Sequence, residues 1–133
     1  MIHRLNVRTK SRIEFQNITR AVQEVVDSSR IESGVCYLFV PHTTAAVILN
    51  EQADPSVVKD IAAQLEAIAP QHGDYRHSEG NAPAHIKAAA LGSSETVLVE
   101  DGRLVLGTWQ GIFFCEFDGP RSRSLLVKIV PDK

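Results

Sequence analysis

Thr96-Val97-Leu98-Val99-Glu100-Asp101-Gly102-Arg103-Leu104-Val105-Leu106 decides the fold of this chain. Two aliphatic and β-branched runs flank an Asp-Gly pair, the strongest short hairpin signal in the sequence. The strands around it must therefore be antiparallel. The pattern continues downstream, where Ile112 to Phe117 and Ser124 to Val130 read as strands around a turn at Asp118-Gly119-Pro120. The last third is all strand.

Upstream, strands alternate with helices. Ile2 to Phe15 reads as two short strands with a polar turn near Lys10. Asn17 is placed to cap a helix, and Ile18, Ala21, Val22, Val25 and Val26 recur at helical spacing until about Ser29. Gly34 starts the next strand. The continuous apolar run Val35 to Val40 predicts a strand buried on both faces. Pro41 interrupts it, and Thr44 to Leu49 resumes. Asp54-Pro55 is a helix start, with Val58, Ile61, Ala62, Leu65 and Ile68 as its buried stripe and Pro70 closing it. Gln71 to Gly80 is polar and irregular. Asn81 is placed to cap a third helix, Ala82 to Leu91, with Gly92 past its end. The sum predicts one compact α+β domain over 1–133, mainly an antiparallel sheet or sandwich of about eight strands, with three helices on one side.

Composition narrows the function. The 133 residues are 44% apolar and 23% charged, as in ordinary globular domains. Net charge is −2 and no stretch is rich in Lys or Arg, which argues against nucleic acid as a partner. Cys36 and Cys115 sit in apolar runs without C-x-x-C spacing, and read as buried free thiols. No apolar run approaches the ~20 residues that span a bilayer, so no membrane contact is expected. Met1-Ile2-His3-Arg4 runs straight into a strand-like pattern, and a cytoplasmic location is expected.

Three polar segments break this apolar pattern. The first is Pro41-His42-Thr43-Thr44 with Asn50-Glu51, at the two ends of one strand. The second is Tyr75-Arg76-His77-Ser78-Glu79-Gly80-Asn81-Ala82-Pro83-Ala84-His85, with histidines on either side of a helix N-terminus. Free amides and the helix dipole favour an anion there, and paired histidines suit a metal. The third is Gly107-Thr108-Trp109-Gln110-Gly111 followed by Glu116-Phe117-Asp118-Gly119-Pro120-Arg121. Trp109 is the only Trp, and glycines beside it allow a ligand close to the backbone. Glu116 and Asp118 share one side of a strand and could carry a metal or act as acid and base. The planar fork of Arg121 suits a phosphate, and Arg123 is a second contact of the same kind.

The sequence resembles the YjbQ family, also described as the secondary thiamine-phosphate synthase family. The resemblance is carried by His42-Thr43-Thr44-Ala45-Ala46, by Asn50-Glu51 with Asp54-Pro55, by His77-Ser78-Glu79-Gly80-Asn81-Ala82 with Ala84-His85-Ile86-Lys87, and by Gly107-Thr108-Trp109-Gln110 with Glu116-Phe117-Asp118-Gly119-Pro120-Arg121. It runs from about Arg12 to Val130. It implies a compact α+β fold, a homotrimer and thiamine-phosphate synthase activity as a secondary activity. It also implies that His42, His77 and His85 meet at a metal or an anion.

The resulting expectation is an enzyme that joins hydroxymethylpyrimidine diphosphate to thiazole phosphate and releases pyrophosphate. Arg121, Asn81, Thr43, Asn50, Glu51, Gln110 and a stacking Trp109 would bind substrate. Glu116, Asp118 and His77 would be catalytic. A divalent ion, magnesium or zinc, would be held by His42, His77 and His85. Two alternatives stand beside it: a zinc-dependent hydrolase or lyase acting on a phosphorylated small molecule, and an oligomeric ligand-binding protein without catalysis.

Overall fold

The structure is a computed structural model that describes residues 1–133. In chain order its elements are β1 (His3–Arg8), β2 (Glu14–Asn17), α1 (Thr19–Ser29), β3 (Gly34–Phe39), β4 (Ala45–Glu51), α2 (Pro55–Ile68), α3 (Ala82–Leu91), β5 (Ser94–Glu100), β6 (Arg103–Leu104), β7 (Gln110–Glu116) and β8 (Ser122–Pro131). The predicted eight strands and three helices are all present, in an α+β fold. β6 is shorter than the sequence pattern suggested. At the hairpin between β5 and β6, Asp101 and Gly102 take φ of 53° and 73°, the left-handed pair that such a turn demands.

The strands form two antiparallel sheets, one in the order β1-β8-β3-β5-β6 and the other β2-β7-β4. Cys36, Leu38, Val97, Val99 and Val127 of the first pack against Ala45, Val47, Ile112 and Phe114 of the second. Val22, Val25 and Val26 of α1 join this inter-sheet core. The opposite face of the small sheet presents Ala46, Phe113, Cys115 and Phe117 to Leu65 of α2 and to Ala84 and Ala88 of α3. The helices therefore do not share one side: α2 and α3 cover the small sheet, and α1 fills the space between layers. β7 is buried on both faces because it is the middle strand of a middle layer, which is why Ile112 to Cys115 reads as an unbroken apolar run.

β3 departs from expectation. Its residues alternate, with Cys36, Leu38 and Val40 buried while Tyr37 and Phe39 are each 47% exposed. The outer face of the large sheet has no covering layer within the chain. Register places Val35, paired with Leu98 and Val130, beside Tyr37 and Phe39 on that bare face.

The helix stripes need two corrections. In α2 only Leu65 is fully buried, and Ile68 is 65% exposed. Ala69, four residues after Leu65, takes the core position instead. Asp54 caps α2 as expected, accepting the Ser56 amide at 2.9 Å, and Asn17 accepts the Thr19 amide of α1 at 3.1 Å. Asn81 stands at the start of α3 but its side chain makes no cap. No helix is long and apolar enough to cross a membrane.

Candidate functional site

One end of the small sheet brings the chemistry together. Ala45 at the start of β4 pairs with Glu116 at the end of β7, so the loop before β4 and the turn after β7 emerge side by side. The start of α3 and Ser93, just before β5, close the same space. The result is a pocket of about 590 Å³ in which only two of 13 lining residues are hydrophobic. His42, Thr43, Asn81, His85, Asp118, Arg121 and Arg123 all line it. Small-molecule pockets are usually mostly apolar, so the lining here would suit only a charged or highly polar molecule.

Its base is an ion pair. Glu116 is completely buried, and its carboxylate is saturated. Oε1 accepts from Thr9 Oγ1 at 2.7 Å and Arg123 Nε at 2.9 Å; Oε2 accepts from the amides of Phe117 and Asp118 at 3.1 and 3.0 Å and from Arg123 Nη2. Arg123 Nη2 also donates to Thr44 Oγ1 at 2.7 Å. Burial pushes the Glu116 carboxyl up, but the bonds from Arg123, Thr9 and the Asp118 amide outweigh it and hold the group below its ordinary value. Glu116 is therefore neither an acid–base group nor a metal carrier: it is fixed as an ion, with no face open to the pocket. It anchors Arg123, which the sequence suggested only as a second phosphate contact.

Asp118 follows on the turn that carries the cis Gly119–Pro120 bond. Gly119 is required here, because a Cβ would stand 2.2 Å from the Ser11 carbonyl oxygen. Asp118 Oδ2 accepts from Asn81 Nδ2 at 2.9 Å and Arg121 Nη2 at 3.0 Å. Burial raises the Asp118 carboxyl, and the bonds from Asn81 and Arg121 lower it further, so it too stays ionised. Arg121 also donates from Nε to the Asp118 carbonyl at 2.8 Å, yet its side chain remains 52% exposed. It is oriented without being buried.

Asp118 thus holds the Asn81 Nδ2 group, while Oδ1, the atom a cap would use to accept a helix amide, makes no such bond. That Oδ1 is buried with no partner. The first turn of α3 is also a poorer anion cradle than expected. The amides of Ala84 and His85 both donate to the Asn81 carbonyl, at 3.0 and 3.4 Å, and Pro83 has no N–H to offer.

The histidines gather in part. His42 and His85 line the pocket, and the His77 ring packs edge-on against His85 with centroids 5.2 Å apart. His77 lies outside the pocket wall, with Nε2 3.8 Å from the Glu79 carboxylate. His42 Nε2 accepts the Ser124 amide at 2.9 Å. Burial, with Arg123 nearby, lowers its pKa, so the ring is neutral at pH 7. A three-histidine metal set does not fit this arrangement. An imidazole that binds a metal through one nitrogen carries its proton on the other, and the other nitrogen here faces an amide donor. Nor do any three His, Cys, Asp or Glu side chains converge as a ligand set.

Four expected site residues lie elsewhere. Asn50 pairs with Gly111 and Glu51 with Gln110, at the far end of the ladder that begins at Ala45–Glu116. Six strand steps at ~3.3 Å each put about 20 Å between the two ends. There the side chains serve local turns: Gln110 Oε1 accepts the Gly107 amide, Asn50 Oδ1 the Glu51 amide, and Glu51 Oε2 the Ala53 amide. Trp109 is 62% exposed. A strand with polar residues at both ends looks like one site in sequence but spans the molecule. Sequence reasoning also missed Thr9, Ser93 and Lys87. Lys87 is almost fully buried on α3 and paired with Glu66 of α2. A lone charge among Ala84, Ala88 and Ala89 was the available signal.

Comparison with known proteins now decides the lineage. The family described as UPF0047 protein YjbQ-like matches residues 3–132. The chain belongs to the YjbQ/UPF0047 family. UPF0047 protein YugU of Bacillus subtilis is 46% identical over 131 residues, covering 98% of this chain and 99% of that protein. A UPF0047 protein of Methanocaldococcus jannaschii is 44% identical, covering 100% of this chain and 96% of the relative. Among solved structures, a YjbQ/UPF0047 protein of Clostridium acetobutylicum shares 48% identity at a TM-score of 0.94, covering 96% of this chain and 99% of that one. A YbjQ-like protein of unknown function from Sulfolobus solfataricus shares 35% identity at the same TM-score, 0.94, covering 99% and 97%. The two-sheet YjbQ fold described above is therefore shared end to end with its relatives.

Proposed function

We propose that this YjbQ protein is an enzyme acting on phosphorylated small molecules, with activity of the thiamine-phosphate synthase type. In that reaction the thiazole nitrogen attacks the methylene carbon of hydroxymethylpyrimidine diphosphate. A C–N bond forms, the C–O bond breaks, and its electron pair leaves on pyrophosphate. Such a leaving group departs readily only where its charge is met by fixed donors.

The observation that supports this reading is the meeting of Arg121, Arg123, His42 and His85 around one polar pocket. Arg121 is held ready by Asp118 and still half-exposed, as a phosphate clamp should be. Arg123 lies beneath it, its charge balanced by Glu116. His77 acts on a ligand only through His85. Charge neutralisation is assigned to the arginines rather than to a three-histidine metal, because His42 is committed to Ser124.

We place the active form in a homotrimer. The bare face bearing Tyr37, Phe39, Leu98 and Val130 supports an association surface, and Phe39 also lines the pocket. Trp109, Gln110, Asn50 and Glu51 reach a substrate here only from a second copy.

One observation favours a ligand-binding protein without catalysis: of the carboxylates at the pocket, Glu116 and Asp118 are held ionised by cationic or amide partners and neither is a free base, which leaves only the exposed Glu79. An assay of purified protein with both substrates separates the two. Turnover above that of an Arg121→Ala, His77→Ala double variant supports the enzyme. A ligand that raises the melting temperature without being consumed supports the binder.

A further inference from the structure

We infer that His42 serves the pocket as a neutral hydrogen-bond donor through Nδ1, its tautomer fixed by the Ser124 amide, and that the atom it meets is an anionic oxygen of the ligand. The second half rests on the phosphate reading of the pocket; the first rests on geometry alone.

An amide N–H can only donate, so the Nε2 that faces Ser124 at 2.9 Å must present its lone pair. A neutral imidazole then carries its single proton on Nδ1. The Ser124 amide cannot turn away, because its residue is held in β8, paired with Asn6 of β1. Nδ1 makes no hydrogen bond within the chain and is not sealed from solvent. The ring lines two adjoining cavities, the larger of which also holds Arg121 and Arg123. The one free polar atom of His42 is thus a donor at the wall of a pocket that also presents the half-exposed guanidinium of Arg121.

This form excludes two other uses of the ring. A general base would have to face the substrate with its lone pair, which is spent on the backbone. A metal at Nδ1 would drive the proton to Nε2, setting two donors face to face. A fixed neutral donor instead stabilises negative charge without moving a proton. The charged groups that surround it are Arg121 and Arg123 at the start of β8, Glu116 beneath, and Asp118 and Glu79 across the pocket, with the titratable ring of His85 beside them. An ionised phosphate oxygen, which accepts and never donates, is the group that completes this set.

Two measurements test the inference. Long-range proton–nitrogen NMR on the intact protein reports which imidazole nitrogen of His42 carries the proton; Nδ1–H is expected, and its resonance shifts when inorganic pyrophosphate is added. Calorimetric titration of inorganic pyrophosphate then compares His42→Gln with His42→Ala. A glutamine can accept from Ser124 with Oε1 and donate into the pocket with Nε2, but it is no base and a poor ligand. His42→Gln should stay within about threefold of the unaltered protein, while His42→Ala should lose about tenfold. An Nε2–H tautomer, or a glutamine variant as weak as the alanine one, overturns the donor role. Failure of the unaltered protein to bind pyrophosphate overturns the phosphate reading and the ligand half of this inference, while the NMR spectrum still decides the form of His42.

Discussion

Arg123 on β8 lies along the buried carboxylate of Glu116 on β7, donating to Oε1 from Nε at 2.9 Å and to Oε2 from Nη2. The pair sits between the two sheets' polar end and the pocket floor, so it couples the fold to the site. Removing one partner leaves the other charged and uncompensated. Glu116→Gln should therefore cost about 3–5 kcal/mol of stability, since it strands a buried guanidinium. That corresponds to a melting temperature lower by roughly 10–20 °C for a domain this size, read by calorimetry. A loss under about 1 kcal/mol would show that water reaches the pair.

The same carboxylates set an acid limit. Glu116 and Asp118 have folded pKa values below their ordinary 4.5 and 3.8. Groups depressed in the folded state contribute stability that is complete above their unfolded values and lost as pH falls through the folded ones. Urea unfolding should show full stability above about pH 5 and a decline below pH 4.5, shallower in Glu116→Gln than in the unaltered protein. Equal slopes would remove Glu116 from the acid transition.

Arg121 should separate binding from folding. Its ion pair with Asp118 is half-exposed and worth no more than about 1 kcal/mol. Arg121→Ala should leave the melting curve nearly unchanged and weaken pyrophosphate binding about tenfold or more, because the lost bond involves charged groups. Arg121→Lys should recover only part, lacking the planar fork. A variant that melts early yet keeps full affinity would make Arg121 a structural clamp.

Gly119 tests the turn that aims Arg121. A Cβ there would meet the Ser11 carbonyl oxygen at 2.2 Å, which the backbone must yield to accommodate. Gly119→Ala should cost about 1–3 kcal/mol and weaken anion binding together with stability. An alanine variant with unchanged melting would show that the β1–β2 turn moves freely.

The bare sheet face gives the assembly prediction. Light scattering at micromolar concentration should report three copies, and Leu98→Glu with Tyr37→Glu should yield monomers by placing charge on the apolar patch. A monomeric mass for the unaltered protein would remove the trimer. Retained pyrophosphate binding in a monomeric variant would show that one chain holds the anion subsite.

The fold was largely legible because its signals are local. Asp101-Gly102 dictated a hairpin through positive φ, Asp54-Pro55 started α2, and the periodic valines of α1 marked a buried face. Where legibility failed, the missing fact was what lay across from a residue. Val35 to Val40 looked buried on both sides because its outward residues are apolar too; only the layer order shows that nothing in the chain covers them. Asn81 fits a cap by residue type and position; nothing in sequence reveals that Asp118, 37 residues away, holds its Nδ2 while its Oδ1 accepts no helix amide.

By itself, then, the sequence determined the element types, the antiparallel pairing, the family and the polar segments from which a site is drawn, since each depends on residues within a few positions of one another or on an ordered set of motifs. Tertiary structure alone decided which segments share a pocket and what each side chain is able to do there. Asn50 and Ala45 are five residues apart on one strand, yet only Ala45 ends at the pocket, because an extended strand carries its two ends across the molecule. Glu116 and His42 have the chemistry of an acid and a ligand, yet one is saturated by Arg123 and the other is committed to Ser124. A side chain's function depends on which of its lone pairs and protons remain unspent, and that is fixed only when distant backbone and side-chain partners are brought within hydrogen-bond distance.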